Sequence, residues 1–152
     1  MMSSAKKIPL FEDNPLLREV MPVFDFNKPY LNLSEALSTM RSSLQNADNG
    51  YALAANQIQI RLRAFIIGMK SYINPRIIKS AGTQVSMEGC LSFPDKYIER
   101  SRPARIWVKY QDEYGHTKSA EYTELKAVAF CHELDHLNGI CYTDEEMKND
   151  RI

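Results

Sequence analysis

The 152-residue sequence predicts an α+β fold in which short, mostly antiparallel β-sheets surround a central metal-binding helix. Three observations indicate this class: a helical pattern comes first, several β-forming segments follow, and a second helical pattern carries the motif H-E-x-x-H. Hydrophobic residues make up 44% of the chain and charged residues 25%, as in an ordinary globular protein. We therefore expect residues 1–152 to form a single domain with a hydrophobic core.

Charge and composition exclude several classes of protein. The formal net charge is zero, which does not predict binding to nucleic acid or to an anionic membrane. No apolar run approaches the roughly 20 residues that span a bilayer, and the first residues do not form a signal peptide. The three cysteines are an odd number, which argues against a disulfide framework. We expect a cytoplasmic protein with reduced thiols.

Two helical segments are predicted in the first third of the chain. NPLLREVMPVF, residues 14–24, is expected to contain a short helix that ends at Pro22. The next helix is expected to be capped by Ser34 and to end at Asn49 and Gly50. Its apolar residues at helical spacing are Leu33, Leu37, Met40 and Leu44.

Strands are predicted in the middle of the chain, where β-forming residues are frequent. The expected strands are residues 63–68, 76–79, 84–87 and 104–110. QDEYG at 111–115 predicts a hairpin turn that leads into a further strand near 117–122. From about Glu124 the apolar spacing becomes helical again, and Gly139 is the expected C-cap.

This last helix carries FCHELDHLNG, residues 130–139. His132 and His136 are four residues apart and share one helix face, so they can bind one metal ion. Glu133 lies about 100° around the helix, where it can reach a water on the metal. Asp135 is expected either to orient a ligand histidine or to pair with a surface lysine.

A catalytic metal site of this kind usually has three protein ligands. Cys131 points to another side of the helix and is interpreted as a small buried hydrophobe. Cys141 lies just beyond the helix, and its position does not exclude it. Local chemistry favours Cys90 in SMEGCLSFP, where the backbone N–H of Leu91 can point to the same place. Spacing leaves this choice open, and His116, in a hairpin turn, is predicted to be solvent-exposed.

Three segments together resemble the peptide deformylase family. The family motifs G-x-G-x-A-A-x-Q, E-G-C-x-S and Q-H-E-x-D-H are matched by GYALAANQ (50–57), EGCLS (88–92) and CHELDH (131–136). The likeness covers nearly the whole chain. Two departures are Ala52, in place of the second glycine, and Cys131, in place of glutamine. The length is similar to that of short forms without a C-terminal helix, such as those encoded by bacteriophages, which makes a phage source a hypothesis.

The resemblance implies a metal-dependent hydrolase that removes the formyl group from N-terminal formylmethionine of new polypeptides and releases formate. Cys90, His132 and His136 would bind one divalent ion. Fe(II) is expected in the cell, and Zn(II) or Ni(II) is the alternative in purified protein. A metal-bound water would be the nucleophile, with Glu133 as general acid and base.

The resemblance also implies roles for residues around the metal. The amide of Gln57 and the N–H of Leu91 would stabilise the charge on the formyl oxygen. The residues expected to contact the substrate are Gly50, Ala52, Leu125, Val128 and Ala129, of which the last three could instead be simple core. Glu88 and Arg102 are expected to pair and to hold the metal loop, although Arg102 could equally be exposed.

The resemblance implies that the partners are N-formylmethionyl nascent peptides, with transient proximity to the ribosome. We expect a monomer that binds neither nucleic acid nor a membrane. The main alternative is an H-E-x-x-H protease with Glu145 or Glu146 as the third ligand. A non-catalytic binding module would have no need of Glu133, and a purely structural metal site would close all four positions with protein ligands.

Overall fold

The computed structural model of the chain describes residues 5–47 and 50–144. Asn49, Glu145, Glu146 and the C-terminal residues behind the short-form prediction lie outside this part. Two α-helices and five strands form the frame: α1 Leu33–Gln45, β1 Ala52–Ala54, β2 Ala64–Ile67, β3 Lys70–Cys90, β4 Phe93–Gln111, β5 Thr117–Thr123 and α2 Glu124–Leu137. Three short 3-10 helices complete it: Phe11–Asp13, Pro15–Arg18 and Ala55–Ile58.

The strands form one antiparallel sheet in chain order, β1-β2-β3-β4-β5, so the predicted α+β class is confirmed. The predicted strands at 76–79 and 84–87 are parts of the single long strand β3, which pairs with β4. Register shifts bend this long hairpin without ending it, and the positive φ of Gly82 (67°) lies between the two segments. Strand β1, an Ala-Leu-Ala segment, was not predicted because alanine has little β-propensity.

The helical predictions in the first third are partly wrong. The early segment contains only the 3-10 helix Pro15–Arg18, which ends well before Pro22. Helix α1 is capped by Asn32 and not by Ser34, because the Asn32 side chain accepts a hydrogen bond from the backbone N–H of Glu35 at 3.0 Å.

Helix α2 lies against the sheet and ends where the sequence predicts. Its Phe130 side chain is fully buried and packs edge-on against Phe65, with ring centroids 5.0 Å apart. Gly139 adopts a φ of +76° directly after the helix and donates to the carbonyl of His136 at 3.1 Å. The described residues contain no helix that is both long and apolar enough to cross a bilayer.

Candidate metal and active site

Three side chains converge between the tip of the β3–β4 hairpin and helix α2. The ligand atoms of Cys90, His132 and His136 all lie within 4.8 Å of one another, and Cys90 Sγ is 3.4 Å from His136 Nε2. Cys90 ends β3, and the histidines lie one turn apart on α2. Cys131 and Cys141 are buried and lie outside this cluster. The favoured third ligand is therefore the cysteine that the fold brings to the histidines.

Glu88 holds the ring of His132. Its Oε1 lies 2.8 Å from His132 Nδ1, which leaves Nε2 to face the cluster. Arg102 donates to both carboxylate oxygens of Glu88 at 2.7 Å, so the predicted ion pair is present and buried. Burial raises the pKa of Glu88, but its bonds to Arg102 and His132 outweigh burial and lower the pKa to about 2. Glu88 is thus an ionised acceptor beside the cluster.

Among the described residues Asp135 forms no hydrogen bond with either histidine ring, and its ion-pair partner is an arginine and not a lysine. Its Oδ2 lies 2.7 Å from Nη1 of Arg102. The planar guanidinium spans two carboxylates at once, which a lysine could not do with the same geometry. Asp135 therefore acts on Arg102, and Glu88 is the carboxylate that orients a histidine.

The donor set fits a divalent transition-metal ion. A thiol and two imidazoles suit Fe(II), Zn(II), Co(II) or Ni(II). Burial lowers the pKa of His136 well below its ordinary value, which keeps the ring in the neutral form that binds metal. Burial also lowers the pKa of His132, but hydrogen bonds to Cys90 and Glu88 raise it to about 10. Protonation of the cluster and metal binding to it would therefore compete.

The side chain of Gln57 has a fixed orientation. Its Oε1 accepts from the backbone N–H of Ala54 at 2.8 Å, so its Nε2 points towards Cys90 Sγ at 3.4 Å and Ser92 Oγ at 3.1 Å. The buried side chain of Asn14 supports this segment by donating to the carbonyl of Gln57 at 3.2 Å. Sequence reasoning missed Asn14, which has no local signal and acts across 43 residues, and it placed Ser92 in the motif EGCLS without giving it a role.

Glu133 is buried beside the cluster, with 5% of its surface exposed. Its Oε1 has no hydrogen-bond partner among the residues that the structure describes. Burial raises the pKa of this carboxyl to about 7, so it can gain and lose a proton near neutral pH. A buried carboxylate oxygen without a partner is costly unless a ligand or a reaction uses it.

A cleft of about 710 Å³ opens in front of the cluster. Its lining includes the predicted residues Gly50, Ala52, Gln57, Cys90, Leu91, Leu125, Val128, Ala129, His132 and Glu133. Leu125 is 64% exposed and lies at the mouth, whereas Val128 and Ala129 are buried. His116 is exposed, 3.5 Å from Asp112, and takes no part in the cleft.

The cleft also contains residues that the sequence did not suggest, chiefly Met87 and Tyr97 at its rim. The glycine at position 89 indicates that another group lies close to the backbone there, and in the structure that group is Tyr97. A Cβ atom at Gly89 would come within 2.7 Å of the Tyr97 ring, so only glycine lets this ring lie against β3. The glycine before Cys90 therefore shapes the rim of the cleft.

Comparisons with known proteins agree with this geometry. The family model described as polypeptide deformylase matches residues 5–151. A peptide deformylase of Heliobacterium modesticaldum is 42% identical over 142 residues, covering 90% of this chain and 91% of the relative. One of Alkaliphilus metalliredigens is 40% identical over 141 residues, covering 90% and 94%.

The fold gives the same answer. The crystal structure of peptide deformylase from Thermotoga maritima superposes with a TM-score of 0.82 at 37% identity, covering 91% of this chain and 95% of that chain. The likeness thus extends over nearly the full length in both sequence and structure. This chain therefore belongs to the polypeptide deformylase family, whose members remove the N-formyl group from nascent peptides.

Proposed function

We propose that the chain hydrolyses the formyl amide of N-terminal formylmethionine and releases formate and a free methionine amine. The observation that carries this proposal is the buried Oε1 of Glu133, which has no hydrogen-bond partner among the described residues and borders the cleft beside a three-ligand cluster. We also propose that residues 1–152 form one catalytic domain. It would act as a monomer on nascent chains near the ribosome, in the cytoplasm.

Cys90, His132 and His136 would hold one divalent ion, Fe(II) in the cell and Zn(II) or Ni(II) in purified protein. When bound, such an ion polarises a carbonyl oxygen and acidifies water. Glu88 hydrogen-bonds to His132 Nδ1, so that Nε2 is the ring nitrogen that would bind the metal. Arg102 forms an ion pair with Glu88, and Asp135 forms an ion pair with Arg102.

Glu133 would accept the proton of the attacking water and then pass it to the leaving amine. A pKa of about 7 suits both steps, because the group loses and regains a proton at neutral pH. Proton transfer by such a positioned group contributes roughly 10²–10⁴-fold in rate.

Negative charge that develops on the formyl oxygen would be stabilised by the Gln57 amide and the N–H of Leu91. Gln57 is suited to this role because Ala54 fixes its oxygen and turns the NH₂ group towards the cluster. Since this orientation exists before substrate arrives, little reorganisation is needed during the reaction.

The extended substrate would pair with the backbone at Gly50 and Ala52, next to the edge strand β1. Its methionine side chain would lie against Val128 and Ala129, with Leu125 at the mouth. Ala52 lines the cleft and packs partly against the core, so its methyl group would border the substrate backbone.

The test is formate release from a formyl-Met-Ala-Ser peptide by anaerobically purified protein, beside Glu133→Gln. We expect the variant to retain one metal ion per chain and to lose at least about 10²-fold in kcat. The matched control is His116→Gln, an exposed histidine that should leave activity unchanged. A folded, metal-loaded wild type that releases no formate would contradict the proposal.

A further inference from the structure

The outward face of the sheet gathers basic residues around one tryptophan. On β4 the residues Ile106, Val108 and Tyr110 are buried, so the alternate residues Arg105, Trp107 and Lys109 point to the opposite, outer face. Cross-strand partners share a face, which extends this surface onto β3 and β5. Its three rows are Arg76, Lys109 and Ser119; Lys79, Trp107 and Glu121; Ala81, Arg105 and Thr123.

These nine residues, which we call the outer basic face, contain four cations and one carboxylate. The carboxylate of Glu121 lies 3.8 Å from Arg105, and both side chains are about half exposed. The chain as a whole has a formal net charge of zero. The positive charge of this face therefore arises from strand register, which composition does not reveal.

Trp107 is the only tryptophan of the chain and lies on this outer face, partly exposed and not in the core. The Lys79 Nζ atom lies 4.8 Å from the centroid of its ring, and the Arg105 guanidinium lies 5.7 Å away. Long cationic side chains of this kind can move aside to contact phosphates. An aromatic ring on a sheet among such cations is the arrangement that stacks bases of single-stranded nucleic acid.

We propose that the outer basic face binds single-stranded RNA, with one base stacked on Trp107 and phosphates held by Lys79 and Arg105. Arg76 and Lys109 continue the positive track along the neighbouring row. An acidic protein segment could pair with the cations but would offer no base to stack on the Trp107 ring. This binding goes beyond deformylation and does not depend on it, because no residue of the face lines the cleft.

Fluorescence anisotropy with a labelled 12-nucleotide oligouridine tests the proposal on the full chain. We expect binding that weakens with added salt. Lys79→Gln with Arg105→Gln should reduce the slope of log affinity against log salt by about 2, one for each phosphate contact. Trp107→Ala should weaken binding roughly five- to hundredfold and leave that slope unchanged, because stacking releases no counterions.

Matched controls keep the test decisive. Lys6→Gln with Lys7→Gln removes the same charge from the exposed N-terminal segment and should leave RNA affinity within about twofold. Trp107→Phe retains a stacking ring and should retain most affinity if Trp107→Ala fails to fold. All variants should deformylate formyl-Met-Ala-Ser at the wild-type rate, which separates this proposal from the proposed function.

Three results would overturn the proposal. The first is absence of salt-dependent binding by the wild type. The second is an equal loss of affinity in the Lys6/Lys7 control, since charge alone would then account for binding. The third is tighter binding of a labelled polyglutamate peptide than of the RNA, which would identify a surface for acidic proteins.

Discussion

Arg102 and Arg105 lie three residues apart on β4, yet their side chains meet opposite surroundings. The Arg102 side chain is 6% exposed and is held at 2.7 Å by both Glu88 and Asp135. The Arg105 side chain is 52% exposed, and its carboxylate neighbour is 3.8 Å away. Odd spacing along a strand places two residues on different faces of the sheet. The same residue type therefore supports the candidate metal site on one face and borders solvent on the other.

The difference indicates where a charge is essential and where it is replaceable. A buried ion cannot lose its partner without leaving an uncompensated charge in a poorly solvated place. An exposed ion recovers its interactions from water. Four experiments, from the largest expected effect to the smallest, can break or sharpen this contrast.

Arg102→Gln should have the largest effect. It leaves the Glu88 carboxylate buried with its main counter-charge removed, and we expect a loss of about 3–5 kcal/mol in the free energy of unfolding. Urea unfolding of the metal-free protein, followed by circular dichroism, measures it. The double variant Glu88→Gln with Arg102→Gln removes both charges and should recover much of the loss. A loss under about 1 kcal/mol in the single variant would disprove the buried role.

The reactivity of the cysteines should differ between the tip of the β3–β4 hairpin and the interior. Burial raises the pKa of Cys141 to about 12, so its thiolate, the reactive form, becomes abundant only as the pH approaches that value. At pH 8 the folded, metal-free protein should alkylate at the half-buried Cys90, and Cys141 should react roughly a thousandfold more slowly than it does in denaturant, where its pKa returns to the ordinary value. Peptide mapping after iodoacetamide treatment measures both rates. In denaturant both cysteines should react alike; equal rates in the folded protein would contradict the prediction.

Glu88→Gln leaves the buried Arg102 with Asp135 as its counter-charge, so it should destabilise the fold less than Arg102→Gln, and it should also weaken metal binding. A neutral amide can still accept from His132 Nδ1 but makes the ring a weaker ligand, so we expect metal affinity to fall about 10–100-fold. Competition with a chromophoric chelator gives the affinity. Ser86→Ala, which removes only one donor to Glu88, provides the control and should change affinity less. Unchanged affinity in Glu88→Gln would show that the carboxylate does not tune the ligand.

Arg105→Gln should have the smallest effect and is the counterpart of Arg102→Gln. We expect the free energy of unfolding to change by no more than about 0.5 kcal/mol, because the lost ion pair is long and exposed. The same urea titration applies. If both arginine variants lost similar stability, exposure would not explain the difference between the two faces.

Local patterns were sufficient to predict helix α2 and the spacing of its candidate metal ligands. The i and i+4 spacing of His132 and His136, and the glycine at 139, follow from helix geometry alone. The long strand β3 was less visible, because exposed polar residues and Gly82 interrupt its pattern while cross-strand bonds continue it. The orientation of Gln57 was also hidden, since it depends on contacts with Ala54, Cys90 and Ser92.

By itself the sequence determined the fold class and, through its three motifs, the family. The H-E-x-x-H spacing also predicted the roles of His132, His136 and Glu133, which stay predictions. The tertiary structure brought Cys90, which the sequence favoured without settling the choice, to the two histidines. It alone decided that Glu88 and not Asp135 hydrogen-bonds to His132, and that basic residues gather around Trp107. The physical reason is range: helix periodicity and capping act within a few residues, whereas ligand choice, carboxylate pairing and surface charge depend on strand register between distant segments.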